Sequence, residues 1–221
     1  MEVFGQNREG TLPNSAANAS IMERMAFLKK VYGLLTLTLV SAVVGAYIGR
    51  SLPQGLMLPL FLVELGLIFF AMAVRRKPGL NLIALFSFTT VSGVTLGPVM
   101  QVYNAAVIQE ALILTVVIFG ALTLYVVTSK KDFSFLSGFL ITGLIVTIVG
   151  SLLNAFLFQS PMMEFIIAGG GVILFSGFIL YDTSNILRHY DVEDYTSATL
   201  ALYLDILNLF LFLLRLLSSR D

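Results

Sequence analysis

The polarity pattern of this chain is a polar beginning followed by seven long apolar runs joined by short polar connections. The runs are Phe27–Ile48, Leu56–Val74, Leu80–Val102, Ala105–Val127, Phe133–Phe158, Met162–Leu180 and Ala198–Leu217. A helix needs about 20 apolar residues to cross the hydrocarbon layer, and each run is near or above that length. Membrane strands are about 10 residues long and alternate in polarity, which these runs do not. A backbone in lipid has no water to bond, so runs of this kind are forced into helices. The expected fold is an all-α integral membrane protein whose seven transmembrane helices occupy residues 21–221, after a flexible tail at 1–20. That tail carries scattered Gly, Asn, Ser and Pro and lacks the apolar stretch of a signal peptide.

The connections carry the charge. Arg8, Arg24, Lys29 and Lys30 flank the start of the first run, Arg75, Arg76 and Lys77 follow the second, Lys130 and Lys131 the fourth, and Arg188 the sixth. All of these fall on one side of a seven-span arrangement, and only Arg50, Arg215 and Arg220 fall on the other. The excess of basic residues in cytoplasmic loops then places the N-terminal tail in the cytoplasm and the C-terminus outside. The even alternation supports the span count, because a missed helix would scramble it. Basic residues ending every second span further predict three helical hairpins plus a last helix.

Composition agrees and narrows the chemistry. The 221 residues are 57% hydrophobic and 12% charged, half the charged share of about 25% that a soluble domain carries. Mean hydropathy is +0.93, so the surface faces lipid. The formal net charge is zero, which gives no reason to expect a nucleic-acid partner. There is no cysteine and a single histidine, His189. Disulfides, thiolate nucleophiles, thiolate-bound metals and histidine clusters are excluded. Carboxylate, arginine, hydroxyl and amide groups remain, and no tightly bound cofactor is expected.

Glycines recur within the runs, at Gly93 and Gly97 and at Gly169, Gly170, Gly171 and Gly177; small residues let membrane helices approach closely. Pro59 and Pro98 lie inside the second and third runs, where each removes a backbone donor and can kink its helix. The ionisable residues say more. A carboxylate at mid-membrane costs roughly 2.5–3.5 kcal/mol on insertion scales, so it faces a bundle interior or a water-filled cavity. Glu64 lies in the middle of the second run, and Asp205 lies seven residues into the last. Asn208 is three residues further on, on the same helical face. Asp182 closes the sixth run, where a solvated helix cap is the plainer alternative.

Spans six and seven are adjacent in sequence and antiparallel. Asp182 is at the cytoplasmic end of one, and Asp205 is about 10 Å into the other at 1.5 Å per residue. Both lie in the same half of the membrane. Two carboxylates in contact away from bulk water do not both ionise easily and hold one proton jointly. Such a pair is a pH-sensitive latch: protonated it joins the helices, and without the proton it drives them apart. Arg75, closing the second span on the same side, is placed to pair with this acidic cluster or to snorkel to the interface. Asp191, Glu193 and Asp194 form an acidic patch in the following loop, either simply solvated or drawing cations to a pore mouth.

The stretch Ser197-Ala198-Thr199-Leu200-Ala201-Leu202-Tyr203-Leu204-Asp205-Ile206-Leu207-Asn208-Leu209-Phe210 resembles the C-terminal signature of the Bax-inhibitor (transmembrane Bax-inhibitor-motif) family. Leu180-Tyr181-Asp182-Thr183, Ser92-Gly93-Val94-Thr95-Leu96 and Lys130-Lys131-Asp132-Phe133-Ser134 resemble it more weakly. The likeness runs over nearly the whole chain after residue 20 and is greatest to bacterial members. It implies a seven-helix fold with the last helix central and the other six around it. It also implies a pH-dependent calcium leak, with Asp182 and Asp205 as the pH-sensing pair and Glu64, Arg75 and Asn208 along the ion pathway or gate. Asp182, Asp205 and Glu64 are then the transient calcium ligands, and the expected partners are the lipid bilayer, calcium ions, protons and other membrane proteins. The implied location is the bacterial plasma membrane.

Other functions fit the same residues. A proton-coupled calcium exchanger would use the carboxylates as proton carriers. A non-transporting modulator of another membrane protein would use the tail. An intramembrane aspartyl protease also sets two aspartates on consecutive helices, but its second site reads Gly-x-Gly-Asp, where this chain has Leu202-Tyr203-Leu204-Asp205. The expectation is therefore that the protein is not an enzyme.

Overall fold

The computed structural model describes residues 15–129 and 131–219. Among the described residues are seven helices long and apolar enough to cross a membrane. They are α1 (Ile21–Gly49), α2 (Met57–Val74), α3 (Leu80–Met100), α4 (Ala105–Ser129), α5 (Ser137–Leu153), α6 (Pro161–Arg188) and α7 (Tyr195–Ser218). A 3-10 turn, Ser134–Leu136, leads into α5, and a π-helical turn, Asn154–Phe158, follows it, so the fifth span runs over Ser134–Phe158. Among the described residues there is no strand, only an isolated bridge between Ser15 and Asp191.

Helix ends explain where the structure departs from the apolar runs. α1 begins six residues before Phe27 because Ser20 caps it: the Glu23 amide donates to Ser20 Oγ at 3.3 Å, and the Ser20 amide donates to Glu23 Oε2 at 3.0 Å. That Ser-x-x-Glu spacing is a capping box. α6 continues two turns beyond Leu180 to Arg188, because Thr183, Ser184, Ile186 and Leu187 are buried by neighbouring helices. Asp182 is thus inside the helix rather than at a solvated cap. Pro59 falls in the first turn of α2, where its missing N–H breaks no helical bond, while Pro98 sits in the last turn of α3.

Lipid tails are as apolar as leucine, so helices associate through close packing and interhelical hydrogen bonds. α1 packs most extensively on α3, and α6 on α7. The expected α1–α2 hairpin is not the pairing that forms: α1 lies against α3 instead, and α2 packs on the far side of α3. The reason is shape. Gly45 and Gly49 of α1 mesh with Gly93 and Gly97 of α3 so closely that a Cβ on any of them would strike the facing main chain. Ser41 Oγ adds a 2.6 Å bond to Thr90 Oγ1 across this seam. α7 is the most buried span and touches α6, α1, α4 and α3, while α2 and α5 pack chiefly on α3 and α6. The outward faces of α4 and α5, with Val116, Phe139 and Ile145 exposed, are left for lipid.

The loops sort into two ends. At one end the α6–α7 loop meets the other basic connections: Arg76 Nη2 is 3.7 Å from both Asp191 and Asp194, Arg188 donates to the Lys131 carbonyl, and Lys30 Nζ sits 3.3 Å over the Tyr195 ring. At the other end Gln101 donates to the Arg50 carbonyl. The N-terminal approach belongs to the basic end. Ser15 and Ala16 are fully buried there, and the Ala16 amide donates to the Tyr190 carbonyl at 2.9 Å. Ser15 and Ala16, expected in the flexible tail, are thus held by the α6–α7 loop; residues 1–14, with Arg8, lie outside the described residues, as do Lys130 and Arg220.

Candidate functional site

Asp182 lies six residues before the end of α6, and Asp205 ten residues after the start of α7. Because the two helices run antiparallel and side by side, these positions come level near the basic end. Their carboxyl groups are close enough to act on each other electrostatically, and Asn185 lies beside Asp182. Asp205 is 4% exposed. Among the described residues no N–H or hydroxyl donor reaches its Oδ2, and no ion pair involves either aspartate. Two carboxylic groups facing each other without a cation cannot both carry charge cheaply, so one proton between them is the arrangement the chemistry favours.

A cleft of about 580 Å³ opens onto Asp182 from the basic end, lined among others by Asn185, Tyr190, Asp191 and Asp194, while Asp205 is buried behind it. Tyr190 forms its wall. Burial, then the charges of Asp182, Asp205 and Asp194, push its phenol above the ordinary tyrosine range, so the hydroxyl stays protonated. The cleft is held from two sides. Arg76 draws Asp191 and Asp194 toward the α2–α3 loop. On the other side Asp132 receives the Ser134 amide at 2.9 Å, lies 2.9 Å from His189 Nε2, and accepts from Ser184 Oγ at 3.3 Å. Partial burial works to raise the Asp132 pKa, but the Ser134 amide and then His189 outweigh it, and the net shift is downward.

Arg75 does not pair with the Asp182–Asp205 cluster. It forms no ion pair among the described residues and instead lines a separate pocket of about 270 Å³ with Asn81, Tyr190 and Thr196. Its neighbour Arg76, in the turn that follows α2, pairs instead with Asp191 and Asp194 of the α6–α7 loop. Asn208 is half-buried on the Asp205 face, and its amide donates back to the Leu204 carbonyl at 2.8 Å.

Glu64 occupies a different place. It is half-buried at the middle of α2, with Thr95 beside it and its Oε1 without a partner. It lies near Tyr203, whose hydroxyl is 2.5 Å from Ser92 Oγ and donates to the Thr89 carbonyl at 3.4 Å. Tyr203 and Asp205 are two residues apart on α7, about 200° round a helix turning 100° per residue. Tyr203 therefore meets α3 while Asp205 meets α6. Among the described residues no three Asp, Glu, His or Cys side chains gather closely enough to hold a metal. Glu64 stands apart from Asp182 and Asp205, on the Tyr203 side of α7. Tyr190 and Arg76 are members of the site that sequence reasoning passed over; nothing local in the loop His189-Tyr190-Asp191 marks the tyrosine as folding back over the pair.

Comparison with known proteins adds a family. The profile described as "Inhibitor of apoptosis-promoting Bax1" matches residues 24–221. A "Golgi anti-apoptotic protein" of vaccinia virus (strain Lister) is 40% identical over 93% of this chain and 90% of its own length. An "Uncharacterized membrane protein" of Vibrio cholerae is 40% identical over 89% of the chain and 91% of its own. "Protein lifeguard 4" of Mus musculus is 36% identical over 92% and 89%.

Proposed function

Since the chain belongs to the family of inhibitors of apoptosis-promoting Bax1, we propose that it is a calcium leak channel whose opening is set by one proton held between Asp182 and Asp205. The observation that carries this reading is that Asp182 of α6 and Asp205 of α7 are neighbours, Asp182 at the base of an open cleft and Asp205 buried, with no basic partner for either among the described residues. With the proton present, an O–H of one carboxyl donates to an oxygen of the other and ties the helices together. Loss of the proton leaves two negative charges in contact, which repel and part the seam. The parted carboxylates then offer oxygen atoms, the donors that suit a hard divalent cation. Calcium is cargo here, not a resident metal, and no catalytic step is assigned. The basic end faces the cytoplasm by the charge bias of its loops, which leaves the C-terminus outside, and the membrane is a bacterial plasma membrane.

The test is calcium flux into liposomes holding the purified protein, across about pH 5 to 8. Wild-type flux should rise with pH, and Asp182→Asn and Asp205→Asn should each flatten the profile. A pH response that survives both substitutions defeats the proposal. Proton movement in fixed ratio to calcium would instead identify an exchanger. A second reading, a modulator of another membrane protein, draws on the printed name of the vaccinia relative; it is favoured if the purified protein passes no calcium at any pH.

A further inference from the structure

The α6–α7 seam does not end at the aspartates. On α7, Asp205, Asn208, Phe212, Arg215 and Ser219 follow one another at steps of three and four residues, which keeps them on one helical face. On α6, Asp182, Phe175, Gly171 and Glu164 are spaced by seven, four and seven, again one face. The two stripes run along each other. They start in the cleft at Asp182 and finish at a second pocket of about 500 Å³ at the opposite end, lined by Glu164, Arg215 and Ser219 among others. Both ends of the seam are thus polar and open, and what separates them is aromatic. The Phe212 ring occupies the space where a side chain on Gly171 would be, since a Cβ there would overlap the ring. Phe175 stacks on Phe212 at 5.6 Å and 23°, and the Arg215 guanidinium caps the ring at 5.7 Å. At 1.5 Å per residue, Phe212 lies about 10 Å from Asp205 and about 10 Å from Ser219, between the aspartates and the pocket that Arg215 lines.

We propose that the pocket between Glu164 and Arg215 is the outer mouth of the pathway, and that Phe212, seated on Gly171, is a second barrier in series with the aspartate pair. This rests on the leak-channel reading above. The division of labour follows from the chemistry of the two layers. The aspartates respond to protons, whereas a phenyl ring has nothing to titrate and blocks by excluding water from a narrow apolar passage. Gly171 supplies the notch that lets so large a ring lie across the seam, and a ring on a rotatable side chain can leave it when α6 and α7 separate.

The absence of cysteine makes the test direct, because each introduced thiol is the sole target for a membrane-impermeant thiol reagent. Ser219→Cys should be labelled from the Arg215 side, and Asn208→Cys should be protected from that side as long as Phe212 is in place. Adding Phe212→Ala should expose Asn208→Cys to the same reagent. Gly171→Ala, which displaces the ring without altering it, should do so too and guards against misfolding of the first variant. In calcium flux, Phe212→Ala should raise the rate severalfold at the alkaline end while keeping the pH dependence. Phe139→Ala, on the lipid-facing surface of α5, should change nothing. The proposal is overturned if Asn208→Cys is already labelled from the Arg215 side with Phe212 intact, if neither variant adds labelling, or if wild type conducts and Phe212→Ala leaves the rate unchanged. A wild type that passes no calcium sinks the leak-channel reading alone, and the labelling still decides whether Phe212 separates the two pockets.

Discussion

The α1–α3 and α6–α7 seams both bring glycine-bearing faces together, yet they are filled differently. In α1–α3 the gap left by Gly93 is occupied by the main chain of Ala42, and that left by Gly97 by the main chain around Gly49. The hydroxyls crossing the seam, Ser41, Thr89 and Thr90, bond to one another. Nothing there can rotate away, and nothing titrates. In α6–α7 the gap at Gly171 is filled by a rotatable phenyl ring, and the polar groups that meet are carboxyls lacking a cation. The same small-residue device gives a rigid joint when backbone meets backbone and a separable one when side chains fill the space. α7 is the wall between them, bonded to α3 through Tyr203 and facing α6 through Asp205.

The largest expected effect falls on the rigid seam. Gly97→Leu forces side-chain atoms into the Gly49 and Ala46 main chain, and overpacking of this sort costs about 1–3 kcal/mol or more. Thermal unfolding in detergent should show a much lower Tm than wild type, whereas Gly170→Ala, with nothing within 4 Å of the added Cβ, should stay near it. Equal stability of the two variants would remove the contrast between the seams.

A smaller effect sharpens the role of α7 as the shared wall. Tyr203→Phe removes the 2.5 Å bond to Ser92 and the long 3.4 Å contact with the Thr89 carbonyl, while Ser92 Oγ keeps its 3.1 Å bond to that carbonyl. A net loss of about 1 kcal/mol is expected for one such bond, read as a modest drop in Tm. The pH profile of calcium flux should be unchanged, because Tyr203 and Asp205 point to opposite sides of the helix. A flattened profile would mean that the two faces of α7 act as one unit.

How far these features were legible in the sequence depends on what each one rests on. Hydrocarbon thickness fixes span length, so the seven helices could be read directly, and the charge alternation sorted their ends. The proposed meeting of Asp182 and Asp205 was readable as an expectation, because antiparallel neighbours and a rise per residue suffice to bring the two positions level. Partner choice was not legible: α1 prefers α3 over α2 because of how four glycines interlock, and only three-dimensional register reveals that. Nor could the sequence separate Arg75 from Arg76, since the turn after α2 decides which reaches Asp191. The two added turns of α6 were hidden because Thr183 and Ser184 look like a polar end until neighbouring helices bury them. The early start of α1, by contrast, was written in Ser20-Ile21-Met22-Glu23, a capping signal that hydropathy alone overlooks.

The smallest effect concerns the clasp beside the cleft, where Asp132 joins the α4–α5 connection to the end of α6 through Ser184 and His189. The Asp132 pKa is lowered from its ordinary 3.8 in the folded protein. A lowered acid means that the folded state binds its proton less readily than the unfolded chain does, so stability rises with pH over the range between the two values. The contribution is fully present above the ordinary carboxylate value and is lost as pH falls through the lowered one. The clasp is therefore intact throughout the near-neutral range in which the aspartate pair is expected to act, and its own titration lies below that range. Carbon chemical shifts of the Asp132 carboxyl should give a midpoint under 3.8. Asp132 is partly exposed, so Asp132→Asn should leave the Tm close to wild type. It should nonetheless speed amide exchange at Ser134, whose N–H it holds at 2.9 Å, while Ser41 and its neighbours in the rigid seam exchange as before. A midpoint at or above the ordinary value, or unchanged exchange at Ser134, would show that the basic end of the α6–α7 seam is held without this carboxylate, leaving Arg76 and its two aspartates to hold it.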